Sequence, residues 1–432
     1  MKLIEILTAI SEETSFEVVA HHWEESMSSR PQGVPLFLRP ETVDANCALA
    51  GIDRQAREDL LRCAEQVLAS DSLTALAWHC HEIVFTYPDS GRLEGWPTFE
   101  RSLGGLHDVF YLLVGLAVAP RIREIHESLQ VPAEITRQTV TIAASFLDRY
   151  RGGHDGRTGV FKTELWWLRN YPNGSLFRIG RFEYRHYQFK GPVRVFRNDE
   201  AGTTVALAEE GIRFDSHGYI DGLDGQNDPD GWTAHLSMTD TEARGFAISP
   251  LGHAIREEVV LDRSRWREAI VSGQTYLLDV HIPSGGKMEL DSVISSLRLA
   301  AEFFSTHLGG KEFAGFGCDS WIFSPYLERI FDASANLVRL IREVYLCPLP
   351  SSRTDGLFFI FGDDRYNRGS VDYAEISARQ PRTRLQAGIR EFILRERIWR
   401  AGGMFIMKED LPRLGSQVYR SSWPPEGMHT VS

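Results

Sequence analysis

The sequence predicts an α/β protein, α+β over its whole length: a helical N-terminal region, then a β-rich segment, then a mixed sheet flanked by helices. Three observations predict it. Apolar residues recur three and four apart up to about residue 150; short β-branched and aromatic runs separated by Gly, Asp and Asn dominate from 160 to about 283; from 284 onward the two patterns alternate. The regions expected are 1–152, 153–273 and 274–432, and 432 residues give each enough chain to bury a core.

In the first region, "DRQAREDLLRCAEQVLA" and "PAEITRQTVTIAASFLDRYRG" carry the helical spacing, with Asp53 and Pro132 placed to start their helices. The three prolines of "PQGVPLFLRPE" (31–41) interrupt the pattern as a loop, and "VFYLLVGLAVA" (109–119) is short for a membrane span and predicts a buried helix. Strands are expected in "SLFRIGRFEYRHYQF", "VRVFRN", "TTVALAEEGIRF" and "YLLDVHI". Between them, "DGLDGQNDPDGW" (221–232) imitates the start of a calcium loop through Asp221, Asp224, Asn227 and Asp230, but it lacks the closing Glu and flanking helices, so an acidic turn is the better reading. Beyond 284 the pattern gives a helix at 289–308 ended by a left-handed Gly309, strands at 312–323 and 357–361, a strand or helix near 337–347, and a helix at 382–399.

Composition excludes several function classes. A formal charge of −12 argues against a phosphate-backbone binder, so nucleic acid is not an expected partner. Five scattered cysteines give no disulfide framework and point to a reducing cytoplasm; the start of the chain lacks signal-peptide character, and no membrane anchor is expected. Six lysines against forty-one arginines read as the bias of a GC-rich, bacterial genome. His79 and His81 lie two apart on a helix and His21-His22 are adjacent, neither spacing suited to sharing a metal, so no metal site is expected.

The chemistry concentrates in "QTYLLDVHIPSGGKMELDSVISSLRLAAEFF" (274–304). A strand that passes through Ser284-Gly285-Gly286 into a helix aims unpartnered N–H groups past the strand end, and glycine lets an anion come close. The next strand brings Cys318, Asp319, Ser320 and Trp321 near its end, and parallel strands joined by a helix place their carboxyl ends on one side. His281 and Cys318 could therefore be neighbours.

These runs, with "LFRIGRFEYR", "DGWTAHLSMTDTEARGFAISPLGHA" and "PRTRLQAGIREFILRERIWRAGGMF", resemble a family of bacterial acyltransferases that joins an N-acyltransferase N-terminal region to a GNAT-like C-terminal domain. The resemblance covers the chain beyond about residue 155 and implies a GNAT-like mixed sheet and transfer of an acyl group from acyl-CoA to a small-molecule amine. It implies that His281 and Ile282 line the pantetheine, that Ser284, Gly285 and Gly286 hold the phosphates, and that Lys287 adds a charge. The loop departs from the usual GNAT pattern: Pro283 removes a donor, which leaves an acyl carrier protein open as donor.

Acyl transfer to an amine needs a base, oxyanion donors and an acid for the thiolate. His281 is the leading base, against a histidine that only holds the turn. Tyr326 resembles in position the GNAT tyrosine that protonates the thiolate, against simple packing. Cys318 is either a nucleophile activated by His281 or a small buried apolar residue. Ser320 either donates to the thioester carbonyl or satisfies backbone, and Trp321, Trp166 and Trp167 either wall an acyl channel or belong to the core. Two other function classes stay open: a non-catalytic acyl-CoA-binding or interaction protein, and a Cys318/His281 thioester hydrolase. Acyl length, acceptor and oligomeric state are not legible.

Overall fold

Helix starts in the first part of the chain follow from local capping. The Asp53 carboxylate accepts from the Ala56 N–H at 3.1 Å and Ser70 accepts from Leu73, opening helices Arg54–Leu68 and Asp71–Phe85. The computed structural model describes residues 2–87, 89–363, 366 and 371–430. The chain divides into two units: one runs to Ile179 and takes in Pro283–Gly285, the other comprises Gly180–Ile282 and the chain from Gly286 onward.

The first unit is helical, built around a core that includes Leu60, Leu76, Phe110, Leu113 and Val118. The apolar stretch read at 109–119 becomes the core side of helices His107–Gly115 and Val118–Ser128. By length and composition alone, Glu100–Ser128 is apolar enough to cross a membrane, yet 67% of its most apolar window is buried inside the protein. His79 and His81 serve this packing: His79 lies 2.6 Å from Ser26 Oγ and 2.8 Å from the Val19 carbonyl, and His81 stacks on Phe37. Burial drives the His79 imidazole down to about 4, so it is held neutral.

In the second unit, five strands position the site: β1 (Phe182–Gln188), β2 (Tyr276–His281), β3 (Gly315–Ser320), β4 (Tyr345–Cys347) and β5 (Gly402–Met407). They form a mixed sheet in the order β1-β2-β3-β5-β4; β2 and β3 run parallel and the other neighbours antiparallel. A second, antiparallel sheet runs Arg267–Ile270, Val193–Asn198, Thr203–Ala208, Glu242–Ser249, His253–Asp262, Met428–Thr430. Val195, Ala206 and Ile248 of the second sheet share a core with Leu277, Tyr345 and Phe405 of the first, and the Tyr345 hydroxyl donates to the Ile248 carbonyl at 2.5 Å. The opposite face of the first sheet is covered by helix α1 (Leu290–His307): Tyr184 and Ser296 hydroxyls lie 2.7 Å apart and His186 packs edge-on against Phe304. The layers are helix, sheet, sheet.

Two expectations are corrected. Residues 357–361, expected as a strand, form helix Leu357–Phe361; five consecutive apolar residues carry neither period, so the sequence cannot separate the two states. Helix α1 ends at His307 with Leu308 as its cap at φ −123°, and Gly309 is not left-handed. The acidic segment after β-residue Phe214 is a turn closed on itself: Asp221 accepts from the Gly222 and Asp228 N–H groups and from Arg213, while Asp224 pairs with Arg353 at 2.7 Å.

Candidate active site

Strands β2 and β3 pair only over Leu278↔Phe316 and Asp279↔Gly317 among the described residues. Beyond that, β2 stays on β1 as far as His281↔Glu183, and β3 stays on β5 as far as Ser320↔Gly402. Each strand follows its outer neighbour, so a wedge opens between them at their carboxyl ends.

Strand alternation decides which side chains reach that wedge on a common face. Asp279 and His281 are two apart on β2; Arg185 sits opposite Asp279 on β1; Asp319 lies two beyond Gly317, the register partner of Asp279. The His281 Nε2 lies 2.7 Å from Asp279 Oδ2, and Arg185 Nε donates to the same oxygen at 2.9 Å. Tyr187, on the same face, passes over β3 so closely that a methyl group at Gly317 would sit 2.1 Å from its hydroxyl oxygen.

The two carboxylates are pushed in opposite directions. Burial works to raise the Asp279 carboxyl, but His281 and Arg185 outweigh it and hold it below its usual range. Asp319 is open to solvent at the wedge yet crowded by protein. Desolvation, then the Asp279 charge, pushes its carboxyl up to about 6. A fixed anion beside a histidine, with a second carboxyl poised near neutrality, is an arrangement that can take and return a proton.

The residues singled out in the sequence fall into two groups. His281, with a quarter of its side chain exposed, stands in the wedge, and half-buried Ile282 follows it. Gly285 and Gly286 both adopt left-handed backbone, φ 78° and 70°, a turn that side chains resist. Ser284 Oγ donates to the Ser145 carbonyl at 2.6 Å. Lys287 points to solvent, 4.0 Å from Glu289, so a nearby carboxylate offsets its charge; Arg181, whose guanidinium lies 3.5 Å from the Gly286 carbonyl, is the cation the sequence did not single out.

The other residues are not brought to His281. Cys318 directly precedes Asp319 on β3, so it faces the opposite side of the sheet from His281, toward the α1 layer. Burial raises its thiol well above the usual value. That geometry removes the structural basis for a Cys318/His281 nucleophile pair, since the expectation compared strand ends and not strand faces. Ser320 caps the turn Trp321–Phe323, its Oγ accepting from the Ile322 N–H at 3.3 Å. Tyr326 is buried among Tyr219, Phe392 and Arg400. Trp321 is half-buried in the second unit; Trp166 and Trp167 are half-buried in the first, edge-to-face at 5.5 Å.

Asp279, Arg185 and Tyr187 were missed. Their signal was present as charge in a central strand: "YLLDVHI" places Asp279 and His281 at alternate positions in an otherwise buried run, an expensive pattern unless the charges are paired. Elsewhere, His21 and His22, read as badly spaced for a metal, converge with Asp89 so that one ligand atom from each lies within 4.8 Å of the others.

Residues 176–405 match the GNAT-like C-terminal domain, and 41–174 match the N-acyltransferase N-terminal domain. The chain belongs to the GNAT-like C-terminal domain family. This GNAT-like protein is an acyltransferase by both of its domains. Among solved structures, an acyltransferase in complex with decanoyl-CoA and teicoplanin is 18% identical, the match covering 94% of this chain and 99% of that one at a TM-score of 0.60. An acyltransferase in complex with CoA and 10C-teicoplanin is 17% identical over the same shares at a TM-score of 0.60. An acyltransferase variant in complex with octanoyl-CoA is 17% identical, again covering 94% and 99%, at a TM-score of 0.59. At these identities the likeness is one of fold. No curated protein sequence matches the GNAT-like chain.

Proposed function

We propose that the protein transfers an acyl group from acyl-CoA to the amine of a small molecule, using the wedge between β2 and β3. The observation that carries this reading is the His281–Asp279 contact of 2.7 Å at the point where the parallel strands part. The solved relatives bound to decanoyl-CoA, octanoyl-CoA and CoA support a CoA thioester as donor.

In this reading the thioester lies in the wedge and the amine nitrogen attacks its carbonyl carbon. His281 takes the proton from the attacking nitrogen; Asp279 holds the imidazole and offsets the imidazolium charge, and Arg185 fixes Asp279. The C–N bond forms, the tetrahedral intermediate collapses with loss of the C–S bond, and the CoA thiolate regains a proton from His281 or through Asp319. The left-handed Gly286 and Arg181 serve the phosphates. Localisation in a bacterial cytoplasm fits the cysteine and arginine usage, and an acyl carrier protein is the competing donor.

The test is calorimetric titration with decanoyl-CoA, acetyl-CoA and a decanoylated carrier protein, in wild type and in Gly286→Glu. The substitution puts a carboxylate and a β-carbon at a left-handed position. Decanoyl-CoA binding in wild type that weakens at least tenfold in the variant supports the reading. Binding of the carrier alone overturns the free-CoA donor.

A further inference from the structure

The convergence of His21, His22 and Asp89 lies within the helical first unit and is not used by acyl transfer. Consecutive residues in a regular helix or strand point about 100° or 180° apart, so adjacent histidines ordinarily cannot bind one ion. Here the backbone is not regular: His22 has φ 57°, left-handed, at the turn before helix Trp23–Ser28. In this turn the two imidazole rings stand at a centroid distance of 4.1 Å, nearly edge-on.

A left-handed histidine is uncommon and carries a conformational cost. Two contacts hold it. Tyr87 stacks flat on the His22 ring at 4.3 Å, and Asp89 places Oδ2 3.1 Å from His22 Nε2. Two imidazoles and one carboxylate are therefore presented together, with Glu24 and Glu25 in the next turn adding negative charge.

We infer that His21, His22 and Asp89 form a binding site for a divalent transition-metal ion of the Zn²⁺ type, its remaining positions open to water. Two nitrogens and one oxygen suit Zn²⁺ over the oxygen-seeking Mg²⁺. Bonds of about 2.1 Å set ligand atoms roughly 3.4 Å apart in a tetrahedron. The ligand atoms of the three residues already lie within 4.8 Å of one another. An ion there takes the place of the His22–Asp89 hydrogen bond and ties the turn at 20–22 to Asp89.

The experiment is isothermal titration of untagged full-length protein with Zn²⁺, with Mg²⁺ as control, and the same titration on Asp89→Asn and His21→Ala. Both substituted residues are exposed, and a thermal melt without metal, unchanged by either substitution, shows that the fold is kept. The expected result is one Zn²⁺ per chain, at least tenfold weaker in each variant, a metal-dependent rise in melting temperature in wild type only, and no Mg²⁺ binding. Failure of wild type to bind Zn²⁺, or equal affinity in all three proteins, overturns the site.

Discussion

His281 Nε2 lies 2.7 Å from Asp279 Oδ2, the two residues standing on one face of β2 where it leaves β3. A charge of fixed position sits beside the imidazole, and Arg185 on the neighbouring strand keeps that charge in place. Family membership supplies the reaction class, and this contact supplies the residues that the reaction is proposed to use.

Asp279→Asn removes the anion and leaves Arg185 and His281 without their shared partner. Because the folded carboxyl is held below its usual range, its stabilising effect is present above the ordinary carboxylate pKa and is lost as pH falls through the lowered value. Urea unfolding at pH 7 should therefore show the variant about 1–2 kcal/mol less stable, discounted for the part-exposed partners. The gap should narrow at pH 3. Acyl transfer should fall ten- to a hundredfold with donor affinity little changed.

Asp319→Asn should act with the opposite sign. Below the ordinary value of 3.8 the carboxyl is protonated in both states; between there and about 6 the unfolded chain releases its proton first, and wild type loses stability as pH rises. The variant cannot ionise. It should be more stable than wild type by about 1 kcal/mol at pH 7, a figure reduced because solvent reaches the carboxylate, and equal to it at pH 3.5. A variant less stable than wild type at pH 7 contradicts the crowding assigned to this carboxyl.

Cys318→Ala separates acyl transfer from thioester hydrolysis through a covalent cysteine. Cys318 faces away from His281 and its thiol is raised by burial, so the variant should keep at least half of the transfer rate and lose about 1 kcal/mol of stability from the small cavity. Loss of turnover with stability intact would restore the nucleophile.

Much of the architecture was legible because it rests on local periodicity. Asp53 caps its helix as its position suggested, and the strands at 182–188 and 276–281 follow their β-branched and aromatic runs. What periodicity cannot give is which face of a strand meets which neighbour. His281 and Cys318 looked adjacent because both end parallel strands; the register Asp279↔Gly317 puts them on opposite faces and brings in Asp319 and Arg185. The convergence of His21, His22 and Asp89 escapes the sequence for a different reason: one left-handed torsion at His22 and a contact to Asp89, 67 residues away, leave no regular pattern to read.

The role proposed for His281 is tested most directly by single-turnover acyl transfer from decanoyl-CoA to an amine acceptor by wild type and His281→Ala, with donor affinity measured in parallel. His281→Ala should lose about 10²–10³-fold in the chemical step with decanoyl-CoA affinity within threefold of wild type, the signature of a removed general base. An unchanged transfer rate in His281→Ala would contradict that role.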